Sequence, residues 1–217
     1  MSRGDLGFLD ITPAALRYSQ ADQFTPANAL YGPSGADIVS VANQVPVVGD
    51  FYAFPFWNPL GGVIDQIGFN VSTLISTSVA RCGLYESATK DDGEATDRFL
   101  VPGKLVVDGG EQDCSTASAK MTTLNPAIRL NPRTLYWMVM LAGVASPNVT
   151  GFSSGWHLFG RNANFNAQFG WQKTGFGYKA LPAVFPFGPP QPGICSSNPT
   201  LVVVRYASYD RFMRSHE

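Results

Sequence analysis

The sequence predicts an all-β protein, an antiparallel β-sandwich with an extended N-terminal arm and a long loop region rich in aromatics, Pro and Gly. Three observations predict it. Apolar residues recur with a period of two in several short runs, the mark of half-buried strands. The 22 glycines and 16 prolines among 217 residues make up about 18%, against roughly 12% in ordinary usage, and they supply turns. Charged residues make up only 14%, against roughly 25% in soluble domains. A turn-rich all-β fold by itself accounts for this composition; a sharper, compatible reading adds that much of the surface meets partner subunits rather than water, where few charges are needed.

Residues 1–48 read as an arm. Thr12 and Pro13 suit an N-cap and first helical position, and residues 14–21 suit two or three helical turns. Pro26, a turn cluster at 32–35 and a β-like run at 37–41 follow. This stretch has too little apolar periodicity to bury itself, so it is expected to lie on the body or on a neighbouring subunit. The sandwich occupies 49–217, opening at Phe51-Tyr-Ala-Phe54. Ile67, Phe69 and Val71 then alternate with small or polar residues, and Ala80, Cys82 and Leu84 share one face of the next run. Short strands are expected at 104–108 and 119–124, a central strand apolar on both faces at 134–141, and a last strand at 200–206. Between 143 and 199 the period dissolves into Gly, Pro, Asn and aromatics, and this region reads as a loop-rich elaboration.

Net charge is −1 and no run of Lys or Arg occurs, so nucleic acid is not an expected partner. No segment approaches the roughly 20 apolar residues of a membrane span. The opening Met1-Ser-Arg-Gly-Asp-Leu-Gly-Phe8 has no signal-peptide apolar core, so synthesis in a cytoplasm is expected. Cys82, Cys114 and Cys195 are too sparse and too far apart for a disulfide framework or zinc site; buried free thiols are expected.

Gly151-Phe-Ser-Ser-Gly155 matches the nucleophile-elbow pattern G-x-S-x-G, which works at a sharp strand-to-helix turn. Pro147 and Asn148 precede it, and Trp156-His-Leu-Phe-Gly160 carries no helical character. A triad would run Ser153, Asp210, His216, with its base on the penultimate residue, so an ordinary Gly/Ser loop is the expectation. Two histidines, His157 and His216, exclude a histidine-rich metal site. The acidic run from Asp91 to Asp97 lacks EF-hand spacing and reads as a solvated hairpin tip. No metal or cofactor is implied. Trp156, Trp171, Phe176 and Tyr178 are the candidate contact residues. They could stack sugar rings, with Asn162, Asn164 and Gln168 as hydrogen-bonding partners, or pack beneath their own loop or against another subunit.

One order of short motifs carries a resemblance. Phe51-Tyr-Ala-Phe-Pro-Phe56 precedes Val63-Ile-Asp-Gln-Ile-Gly-Phe-Asn-Val71, then Ala80-Arg-Cys-Gly-Leu-Tyr85, Pro102-Gly-Lys-Leu-Val-Val-Asp108 and Leu130-Asn-Pro-Arg-Thr-Leu-Tyr-Trp137. Over about 90 residues this resembles β-sandwich modules of tailed-bacteriophage virion proteins. In those the last strand enters through a Pro-Gly turn; here Arg133 stands where the Gly would be. The resemblance implies a jelly-roll-like, commonly trimeric module on a tail fibre, baseplate or capsid surface. It implies identical subunits as partners and the virion as location; residues 1–48 and the aromatic loop lie outside the match, and they are read as reaching other virion proteins and offering contact to host surface polysaccharide. A free carbohydrate-binding module is the alternative function, and a Ser153 hydrolase a more distant one.

Overall fold

The computed structural model describes residues 30–31, 40–58, 61–91, 98–154, 170–187, 193–195, 200 and 202–209. The helical turns expected over 14–21, the tip of the acidic loop at 92–97, Trp156, His157, Asp210 and His216 lie outside the described residues. Among the described residues there is no helix.

The strands are β1 (Leu30–Tyr31), β2 (Ser40–Gln44), β3 (Phe51–Asn58), β4 (Gly62–Thr73), β5 (Val79–Asp91), β6 (Arg98–Asp113), β7 (Ala119–Leu130), β8 (Thr134–Ala142), β9 (Asn148–Ser154), β10 (Gly170–Lys173), β11 (Gly193–Cys195) and β12 (Val202–Tyr209). Four antiparallel ladders nest inside one another: β2 with β9, β3 with β8, β4 with β7 and β5 with β6. The chain is thus one long hairpin with its tip between β5 and β6, wrapped so that alternate pairs fall in opposite sheets. β9 also pairs with β4, and β8 with β5. The sheets are therefore β2-β9-β4-β7 and β3-β8-β5-β6, which is a jelly roll. Additional strands extend both: β12 and β1 beside β4, and β10 and β11 beside β3.

The main core lies between the sheets. Ile67, Phe69 and Val71 of β4 and Ala80, Cys82 and Leu84 of β5 are all fully buried there, as the period of two predicts. They meet Met138 and Met140 of β8 and Val202 and Val204 of β12. A bulge at Asp65, between the pairings of Ile64 and Gln66, shifts the parity of β4, so that Ile64 faces the same core as Ile67.

β8 is apolar on both faces because a second core lies behind it. Trp137, Val139 and Leu141 face away from the first core and pack with Phe51, Ala53 and Tyr85. A strap at 174–187 covers them with Leu181, Phe185 and the half-buried Phe176 and Phe187. Backbone bonds sew the strap to β6 (Leu105 N to Ala183 O, 2.9 Å; Phe185 N to Gly103 O, 2.9 Å), and Tyr85 Oη donates to Pro182 O at 2.7 Å.

Two expectations need revising. The end of the arm contributes strands to the body: β1 pairs with β12, and β2 is the first jelly-roll strand. The region 143–199 is less loop-like than its composition suggests, since it holds β9, β10 and β11.

Candidate functional site

The candidate contact residues divide in this fold. Trp171 sits on β10 and is only 9% exposed; its indole Nε1 donates to Leu100 O at 3.1 Å, and its ring meets Phe187 edge-on at 5.7 Å. A sugar needs an open aromatic face, which Trp171 does not offer. Phe176 stacks on Phe51 at 5.2 Å and carries the Lys179 ammonium 4.1 Å from its centroid. Tyr178 stands beside Arg81, whose guanidinium is 6.0 Å from the ring centroid. Burial, with Glu111 adding to it, pushes the Tyr178 phenol above its ordinary pKa, so it stays neutral. Arg81 bridges to Asp108 at 3.1 Å. Asp108 also accepts from the Gly110 amide at 2.8 Å and the Leu181 amide at 3.3 Å. These three rings and their charged neighbours fasten the strap to the sheet.

The G-x-S-x-G segment is not a loop over its described part. Residues 151–154 run in β9 against β2, and a register shift between Ser40 and Val41 leaves Ser153 as a bulge residue. An elbow would need a sharp turn at that serine, and the backbone there is extended. Cys82 and Cys114 are buried and free. Burial is the main cause pushing their thiols up to about 12 and about 11, so neither is a poised nucleophile. Among the described residues no group of three or more His, Cys, Asp or Glu is placed to hold a metal, and no helix is long and apolar enough to cross a membrane.

One end of the sandwich is chemically distinct. Three connections meet there: residues 45–49 (Val-Pro-Val-Val-Gly), 74–78 (Leu-Ile-Ser-Thr-Ser) and 143–147 (Gly-Val-Ala-Ser-Pro). The ladders place them together. Val149 pairs with Gln44 on one side and Val71 on the other, so Val45 and Leu74 lie about two strand spacings, roughly 10 Å, apart. Val48 bridges to Ala142, the Gly49 amide donates to Ala142 O at 2.9 Å, and the Gly143 amide to Val79 O at 2.8 Å. None of the three segments contains a charged residue. Val45, Val47, Val48, Leu74 and Val144 are 48–64% exposed and account for most of the exposed large hydrophobics described.

The nearest carboxylate is turned inward. Asp50 is buried and accepts from Gln172 Nε2 at 2.7 Å and the Gly175 amide at 2.8 Å. A fourth connection, 114–118, joins this end through the Cys114 amide, which donates to Ser78 O at 2.9 Å. It is polar: Asp113 accepts from the Ser115 amide and hydroxyl, both at 2.8 Å, and Lys120 Nζ donates to Thr116 Oγ1 at 2.7 Å. An apolar centre with a polar border is the anatomy of a protein–protein contact.

Sequence reasoning missed this end, although a signal exists. The sequence carries no charge between Asp37 and Asp50, between Asp65 and Arg81, or between Arg133 and Arg161, and each run contains one of the three connections. No family model, curated protein or solved structure matches the chain.

Proposed function

We propose that this chain is a non-enzymatic structural component of a tailed-phage virion, acting as a homo-oligomeric surface knob, fibre, baseplate or capsid decoration subunit. The observation that carries this reading is the charge-free aliphatic end of the jelly roll. Covering its exposed valines and leucine with the surface of another protein removes apolar area from water, which is favourable. A fold of this type serves many functions, capsid and lectin domains among them, so the choice rests on the site. The ordered motifs from Phe51 to Trp137, which resemble virion sandwich modules, support the same reading, as does the charge-poor composition. The trimeric state comes from the resemblance alone, and contact with host surface polysaccharide from the aromatic residues of the loop region.

The test is immunogold labelling of intact, purified particles of the encoding phage with antibody against this chain. Labelling at a repeated position on tail or capsid is expected. Particles that carry none of the chain, while infected cells contain it free, would overturn the reading.

A further inference from the structure

The strap at 174–187 does more than cover the second core. We infer that it is a conformational control on the charge-free end: it seats and lifts as one unit with the connections 45–49 and 143–147, while 74–78 keeps its shape without it. The end is complete only while the strap is seated. This link concerns how the end is built, so it goes beyond the subunit reading and holds whatever partner covers that end.

The strap reaches two of the three connections directly. Its Gly177 amide donates to Gly49 O at 3.0 Å. Asp50 closes the first connection with its own amide, which donates to Val47 O at 3.1 Å. Its buried carboxylate faces the start of the strap, accepting from the Gly175 amide at 2.8 Å and from Gln172 Nε2 at 2.7 Å. Tyr178 packs on the third connection so closely that a Cβ at Gly143 would lie 2.9 Å from its Cδ2 and Cε2 atoms. Within that connection Ala145 holds φ at 57°, a conformation that persists in a residue with a side chain only where its surroundings over-determine it. The Tyr178 ring pins the base of the loop at Gly143, so lifting the strap frees 143–147 to relax. Connection 74–78 is built differently. The Ser78 amide donates to Ile75 O at 3.1 Å and the Cys114 amide to Ser78 O at 2.9 Å, and among the described residues no hydrogen bond joins it to the strap. The strap itself is made to lift. It meets β6 through an isolated bridge from Val184 to Lys104 rather than a ladder. Its left-handed glycines, Gly175 and Gly177 (φ 63° and 79°), stand where an added Cβ would meet nothing within 4 Å. Segments with few backbone bonds and open turns unseat at lower free energy than core strands.

The experiment is hydrogen–deuterium exchange of backbone amides in the full chain, comparing wild type with Tyr85→Phe. That variant keeps the buried ring and removes the donor to Pro182 O. Tyr85 lies six positions along β5 from Val79, roughly 20 Å from the loop end, so it touches none of the three connections. The Leu181 and Phe185 amides are expected to exchange roughly three- to tenfold faster, as the loss of one hydrogen bond dictates. The Gly49, Asp50 and Gly143 amides should accelerate by the same factor, and the Ser78 and Cys114 amides should not change. Gly177→Ala is the second variant, since it meets no neighbouring atom but strains a φ of 79°, and the same pattern is expected. Strap amides that accelerate alone would mean that the strap opens without the end, which overturns the inference. Equal acceleration at Ser78 and Cys114 would report a loss spread over the whole fold and would overturn it too, as would strap amides unmoved in both variants. None of these results bears on where the chain sits in a particle, which labelling decides separately.

Discussion

Arg133 holds φ at 51°, in the left-handed region where side chains other than Gly crowd the following carbonyl. It sits in the turn between β7 and β8, and the arginine bears the strain. Arg133→Gly should stabilise the fold by about 1 kcal/mol, the relief of strain exceeding the added freedom of the unfolded chain. A higher denaturant midpoint at unchanged slope would show it; an unchanged midpoint would mean the turn is unstrained. Asp65 is a second single-residue case. The bulge in β4 turns it toward Arg205 of β12, which donates from Nε at 2.8 Å and from Nη2 at 2.7 Å. The Arg205 guanidinium, mainly through those hydrogen bonds, holds the Asp65 carboxyl below its ordinary value of 3.8. Its stabilising contribution is therefore complete above that value and is lost as pH falls through the lower folded-state pKa. Both side chains are about a quarter exposed, so solvent screens the pair and keeps its contribution small. Asp65→Asn should lower neutral-pH stability slightly, and melting curves of variant and wild type should converge as the solution is made more acidic than about pH 4.

At the scale of elements, β8 and the strap explain each other. A strand with Tyr136, Met138 and Met140 on one face and Trp137, Val139 and Leu141 on the other needs cover on both, and the strap supplies the second. Phe185 is the centre of that cover: it lies 4.9 Å from Phe51 and 5.9 Å from Tyr85 by ring centroids. Trp171 closes the same cluster from β10. Of the rings that composition offers as a glycan platform, Trp171 is spent on burial, and Trp171→Ala is a folding mutation. It should cost about 3–5 kcal/mol and lower the melting temperature well before any question of ligand arises. A Trp171→Ala protein that melts like wild type but loses oligosaccharide binding would reverse this assignment. β10 also shows why a strand hid inside a glycine-rich stretch. A Cβ at Gly170 would overlap the Ala53 carbonyl, so close approach to β3 demands glycine there, and glycine reads as loop.

For the whole molecule, the jelly roll is closed by residues that look dispensable in sequence. β2 is the outermost member of its sheet and covers β9, although it lies within the stretch read as an arm. Removing residues 1–48 should therefore strip β2 from the sandwich and leave the protein poorly soluble or unfolded. Removing 1–29 keeps every described strand and should leave a cooperative melt. Circular dichroism melts of the two truncations decide this; a stable fold after deletion of 1–48 would show that the sandwich completes itself without β2.

The sequence by itself determined the fold class, because strands with one buried face must alternate. Ile67, Phe69 and Val71, or Ala80, Cys82 and Leu84, write the core into the chain directly. The doubly apolar 134–141 run likewise announced a covered central strand. Tertiary structure alone decided the rest. β9 and β11 lie in stretches with no sustained period of two and are paired by neighbouring ladders, so local pattern could not reveal them. It also decided that Trp171 is buried and that three uncharged connections, far apart in sequence, form one exposed apolar end. Burial and proximity depend on which strands the wrapped hairpin brings side by side, and that is a property of long-range pairing, not of any local stretch of chain.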